Sequence, residues 1–151
     1  MRFRSHESRE LFRAWLDTVE LGFAHFYDGD LVGHTSYLNV RPDDRVLEIG
    51  NTWVVPGTWG TGANTEAKLL LMTHAFDDEG YLRVEFKTDA RNERSRAALA
   101  ALPAQFEGVF RKHMLVRGGE RRDSAWYAVI DDDWPEVKAN LQQRLRGVQR
   151  S

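Results

Sequence analysis

The residues of this chain whose types and spacing could do chemistry gather at a few places. Residues 57–64 read Gly57-Thr58-Trp59-Gly60-Thr61-Gly62-Ala63-Asn64, between an apolar stretch of strand character and a helical one. Glycines let a backbone approach a ligand closely, and the unpaired N–H groups of a first helical turn, at the positive end of its dipole, suit a phosphate. A pyrophosphate is the ligand such a loop would take. The same loop would serve equally well to join a strand to a helix and do nothing more. Its spacing is neither the P-loop's G-x-x-x-x-G-K-[ST] nor the dinucleotide fold's G-x-G-x-x-G, and no acidic ribose ligand follows a second parallel strand, so both nucleotide readings fail. His25, His34, His74 and His113 are scattered, without H-x-x-x-H or H-E-x-x-H spacing, so no metal site is expected and His74 is expected in the core. The absence of cysteine excludes disulfides, a thiolate nucleophile and Cys-ligated zinc.

The whole chain bounds what those residues can do. Its 151 residues suffice for one domain, and 42% hydrophobic with 29% charged residues is a folding composition. A formal net charge of -2 leaves no global basic field, so nucleic acid is not an expected partner. Between Arg91 and Arg122, seven arginines and one lysine face three glutamates, a local net of +5 that could attract phosphates or an acidic acceptor, or simply be a solvated face. No apolar run approaches the roughly 20 residues of a membrane span, and the N-terminus is charged, so neither a membrane association nor a compartment other than the cytoplasm is expected.

The elements that must position these residues follow from periodicity. Leu11, Phe12, Trp15, Leu16 and Val19 predict an amphipathic helix over roughly 6–20. Strands are predicted from Leu21 to Tyr27 and Leu31 to Val40, joined by a tight turn at Asp28-Gly29-Asp30, and from Val46 to Val55 after a turn at Arg41-Pro42-Asp43-Asp44. Ala63, Ala67, Leu70, Leu71, His74 and Ala75 predict a buried helix over 63–79, capped by Gly80. Leu82, Val84 and Phe86 alternate with charges in a strand. An alanine-rich helix to about Leu102 follows Asn92, and then come strands from about Phe106 to Leu115 and Ser124 to Ile130, split at Gly118-Gly119. A last helix opens at Asp131-Asp132-Asp133-Trp134-Pro135. This order predicts an α+β (mixed α/β) domain spanning 1–151, one mixed, mostly antiparallel central sheet with helices on both faces.

Four stretches in this order carry a more specific likeness: Glu48-Ile49-Gly50-Asn51-Thr52-Trp53 on a strand; Trp59 to Lys68 in loop and helix; Asp89-Ala90-Arg91-Asn92-Glu93-Arg94-Ser95; and Phe106-Glu107-Gly108-Val109. Together they resemble the GCN5-related N-acetyltransferase (GNAT) superfamily, and within it the RimJ/RimL-like branch, from about Leu31 to the C-terminus. The resemblance implies that acetyl-CoA lies where the sheet splays between the strands Val46–Val55 and Leu82–Thr88. It implies contacts from Trp53, Val54, Val55, Trp59, Gly60, Thr61, Gly62, Ala63, Asn64, Asn92 and Ser95, with the N–H groups of Gly60 to Asn64 facing the pyrophosphate. N–H groups near Val54 and Val55 would polarise the thioester. Glu48 takes the position of the general base; as an alternative it would be an exposed strand residue pairing with Arg45 or Arg83. Asn92 would bind the pantetheine arm and Ser95 protonate the departing thiolate, although Asn92 equally suits a helix N-cap.

The activity implied is acetyl transfer from acetyl-CoA to a primary amine, of a small molecule or a protein N-terminus. The chain departs from the family at three points. Gly57 stands where the loop pattern has Arg or Gln, Pro103 stands where a glycine follows the second helix, and the family's first strand and helix are expected to be missing. These departures motivate two rivals: a non-catalytic acyl-CoA-binding or sensor module, and an interaction domain that uses an exposed sheet edge, for instance as a homodimer.

Overall fold

The computed structural model describes residues 21–149; the helix expected over 6–20 lies outside them. Six strands form one sheet, β1 (Leu21–Tyr27), β2 (Asp30–Arg41), β3 (Val46–Val54), β4 (Arg83–Asp89), β5 (Gln105–Leu115) and β6 (Arg121–Ile130). Three helices accompany them, α1 (Ala63–Thr73), α2 (Glu93–Ala101) and α3 (Trp134–Gln149). The strand order is β1-β2-β3-β4-β6-β5, with every neighbouring pair antiparallel except β3 and β4. That one parallel pair follows from the connection, since a strand that returns through α1 to its neighbour's side must enter in the same direction.

Local sequence explains the hairpin between β1 and β2. Tyr27 pairs with Asp30 across a two-residue turn whose residues, Asp28 (φ 50) and Gly29 (φ 89), both lie in the left-handed region. Aspartate and glycine tolerate that region, and the turn's twist matches that of the strands. Alternation fixes β4, which buries Val84, Phe86 and Thr88; the expected first strand residue, Leu82, is outside the strand and exposed.

Phe23, Tyr37, Leu47, Ile49, Val84, Phe86, Ala125, Tyr127 and Val129 share one face of the sheet by their cross-strand registers. They form a single core with Leu71 and Met72 of α1, Leu99 of α2, and Val137 and Leu141 of α3. All three described helices therefore cover the same face. The Tyr37 hydroxyl, fully buried, donates to the Leu71 carbonyl of α1.

Two residues of the expected α1 stripe depart from it. Leu70 and His74 turn outward, His74 beside Asp78 (3.1 Å) and Glu79 (3.9 Å), while Met72 and Phe76 turn inward. The helix ends in one widened π turn (His74–Asp78), with Glu79 N–H donating to His74 O and Gly80 left-handed (φ 68). Packing against α3 selects this face: Phe76 stacks on Trp134 at 5.1 Å, and Asp77 accepts from Trp134 Nε1 (2.9 Å) and Lys138 Nζ (2.6 Å). Those bonds hold the Asp77 carboxyl below its ordinary range. Pro103 follows a right-handed C-cap at Leu102 through a cis peptide bond.

Candidate active site

The sheet opens beside Glu48. β3 and β4 pair at Val46↔Arg83, Leu47↔Val84 and Glu48↔Glu85, and no further, although β3 runs on to Val54 and β4 to Asp89. Beyond that last pair each strand carries backbone groups directed at the gap. Val55 N–H donates to Val32 O of β2 at 2.8 Å, so it is not the open donor expected of it. Val54, opposite Gly33 and one residue earlier in an extended strand, directs its N–H the other way, into the opening. A bulge at Asn51 (φ 50) re-aims the strand at the start of this stretch, and Asn51 O meets His34 Nδ1 at 3.2 Å. Trp53, half exposed, lies across from His34 on the same face as Glu48.

Glu48 itself is 1% exposed. It pairs neither with Arg45 nor with Arg83, which binds Glu85 (2.9 Å) and Glu107 (2.7 Å) instead. Lys87 of β4 reaches across the opening, its Nζ 3.0 Å from Glu48 Oε1 and 3.1 Å from Oε2. Asn39, in a left-handed conformation at a bulge of β2 (φ 47), donates its amide to Oε2 at 2.7 Å. A buried carboxylate is tolerable only with such partners. The Lys87 ammonium also lies 5.4 Å from the centre of the Trp126 ring.

The glycine loop follows β3. Pro56–Thr58 make a short 3-10 turn, and Gly60 (φ 79) and Gly62 (φ 85) are left-handed. The two glycines serve different ends. A Cβ on Gly62 would press on Leu145 (3.2 Å) and Val148 (3.5 Å) of α3, so packing and φ both require glycine there. A Cβ on Gly60 would meet nothing within 4 Å, so its neighbourhood is open to a ligand. Thr61 N–H is used by Thr58 O, and Glu66 N–H by Gly62 O, while Ala63 N–H faces Thr61 Oγ1 at 3.4 Å. Among the described residues, the N–H groups of Gly60, Gly62, Asn64 and Thr65 have no backbone acceptor. This open, donor-rich loop at a helix start fits a phosphate group.

Asn92 caps α2, its Oδ1 accepting from Ser95 N–H at 3.0 Å. The cap leaves the Asn92 amide nitrogen and the partly buried Ser95 hydroxyl at one end of the helix that follows β4. Arg94, in the same turn, lays its guanidinium carbon 3.8 Å from the centre of the Trp59 ring, so the glycine loop and the start of α2 face each other across the outer end of the opening.

An acetyltransferase (GNAT) domain matches residues 1–105. The chain belongs to the GNAT family. It is 32% identical over 123 residues to a Bacillus subtilis (strain 168) protein named "Putative ribosomal N-acetyltransferase YdaF", covering 82% of this chain and 65% of that one. A crystal structure of a GCN5-related N-acetyltransferase from Brucella melitensis is 36% identical, with TM-score 0.79, over 90% of this chain and 64% of that one. Mycobacterium smegmatis RimJ in complex with CoA-disulfide is 28% identical, with TM-score 0.72, over 82% and 59%. The GNAT chain thus spans less than two thirds of the length of these three relatives.

Lys87, Asn39 and Arg94 escaped the sequence reading. Lys87 belongs to an alternating strand whose pattern marks a charge but not its partner, and only the parallel register of β3 and β4 brings it to Glu48. Asn39 reaches Glu48 through a bulge that no local pattern announces. Arg94 does stand inside the Asn92–Ser95 motif, which is the one signal that marked it.

Proposed function

We propose that the GNAT chain, acting as one domain, is an N-acetyltransferase that moves an acetyl group from acetyl-CoA to a primary amine of a small molecule or a protein N-terminus. The observation that carries this reading is the parting of β3 and β4 after Glu48↔Glu85, next to a glycine loop with open N–H donors. Acetyl-CoA, when bound, supplies an acetyl group activated as a thioester. Gly60 to Asn64 hold its pyrophosphate, with Trp59 and Trp53 alongside, and the Asn92 amide steadies the pantetheine arm. Val54 N–H is placed to stabilise an oxyanion. Glu48 takes the proton of the acceptor ammonium, directly or through water, and the Ser95 hydroxyl returns a proton to the leaving thiolate.

A second reading has its own observation. Both oxygens of Glu48 are engaged by Lys87 and Asn39, which is the arrangement of a structural ion pair and would suit a module that binds acyl-CoA without turning it over. Release of free thiol from acetyl-CoA, followed with a mixed panel of amines and peptide N-termini, decides between them. Acceptor-dependent thiol release supports the enzyme; stabilisation by CoA without any thiol release supports the binding module.

A further inference from the structure

The cations around the opening are mostly spoken for. Arg91 is bound by Asp89 (3.0 Å) and Glu120 (2.7 Å), and Arg83 by Glu85 and Glu107. Arg96 donates to Tyr127 Oη (3.1 Å) and Ala90 O (3.2 Å). Arg94 is different: among the described residues no carboxylate lies within ion-pairing distance of it, and its guanidinium carbon sits 3.8 Å from the centre of the Trp59 ring. A guanidinium over an aromatic face can still direct its N–H fork at an anion, and among the described residues no side-chain acceptor takes it. The position is also locally unfavourable, because Arg94 sits in the first turn of α2, at the positive end of the helix dipole. A cation kept against that field, on a half-exposed tryptophan next to Gly60, calls for an anion.

The loop itself lacks a cation. Residues 57–64 include neither Lys nor Arg, and a Cβ on Gly57 would meet nothing within 4 Å. We propose that Arg94, held over the Trp59 ring across the outer end of the β3/β4 opening, is a cationic contact of this chain to the phosphates of CoA, supplied from α2. This rests on the reading that the opening takes a CoA thioester. A guanidinium forks onto phosphate oxygens with two parallel bonds, and Trp59 makes the geometry ready before the ligand arrives.

Isothermal titration calorimetry of the full chain with CoA, 3′-dephospho-CoA and pantetheine tests it, using wild type, Arg94→Gln, Arg94→Lys and Trp59→Ala. Arg94→Gln should weaken CoA binding by roughly 10-fold or more, as expected for a lost charge-assisted pair, and leave pantetheine unaffected. Arg94→Lys should recover part of the loss, and Trp59→Ala should weaken CoA without adding fully to Arg94→Gln in the double variant. A loss that vanishes with dephospho-CoA places Arg94 on the 3′-phosphate, and one that persists places it on the pyrophosphate; both support the proposal. Wild-type CoA affinity in Arg94→Gln overturns it and leaves the CoA reading standing. Wild-type protein that binds no CoA overturns that reading and the proposal with it. Arg94 is exposed, so unchanged thermal unfolding of the unliganded variants checks that binding alone has been altered.

Discussion

Glu48→Gln should have two separable effects. The substitution keeps the shape but removes the charge that faces Lys87, leaving an ammonium whose side chain is 15% exposed beside a neutral amide. Breaking a buried ion pair from one side costs ~3–5 kcal/mol. The low end, about 3 kcal/mol, is expected here, because Lys87 keeps some access to water and can lean on the Trp126 ring. Urea unfolding followed by fluorescence measures this loss. Adding Lys87→Met removes the stranded charge and should return most of the stability. Turnover should behave otherwise. If Glu48 is the base, both the single and the double variant should lose roughly 10²–10⁴-fold in acetylation rate at neutral pH, the loss shrinking at alkaline pH as the amine deprotonates unaided. Recovery of rate together with stability in Glu48→Gln/Lys87→Met would refute the base and leave a structural pair. Wild-type stability in Glu48→Gln would refute the buried pair itself.

Gly60→Val should cost about 1–2 kcal/mol from its left-handed φ, and should also abolish the roughly 2.7 kcal/mol that CoA at 100 times its Kd would add. Thermal shifts with and without CoA check this, and undiminished CoA stabilisation would remove the loop assignment. Lys68 of α1 is pushed down to about 8 by burial and then by the Arg144 charge. Between that value and the ordinary 10.5 the unfolded chain binds a proton that the folded one has released, so stability should rise with pH over this window. Lys68→Met should flatten the rise in urea midpoints measured from pH 7 to pH 10, and an unaltered profile would contradict the assignment.

Much of this architecture was legible because it is local. The hairpin needed only Asp28-Gly29 between alternating strands, β4 only its period of two, and the loop between β3 and α1 only its glycines. Asn92 was legible as a cap of the helix that follows it. What escaped depends on partners far along the chain. The inward face of α1 is decided by Trp134 and Lys138 of α3 at Asp77, which is why Leu70 and His74 read as core and are not. The same distance in sequence hid the partners of Glu48: Lys87 is 39 residues away and arrives only once β3 and β4 pair in parallel. Val55 and Val54 differ by one step of the pleat, a distinction that belongs to register rather than composition.

The central claim, that acetyl-CoA lies in the β3/β4 opening with its phosphates on the glycine loop, is met most directly by an amide NMR titration of the isotopically labelled chain with acetyl-CoA. The largest, saturable shifts are expected at Gly60, Gly62, Asn64 and Thr65, with Val54 and Ser95 following, and little change in β1 or at the Gly118-Gly119 turn. Saturable shifts confined to other parts of the sheet, with the Gly60–Thr65 amides unmoved, would contradict it.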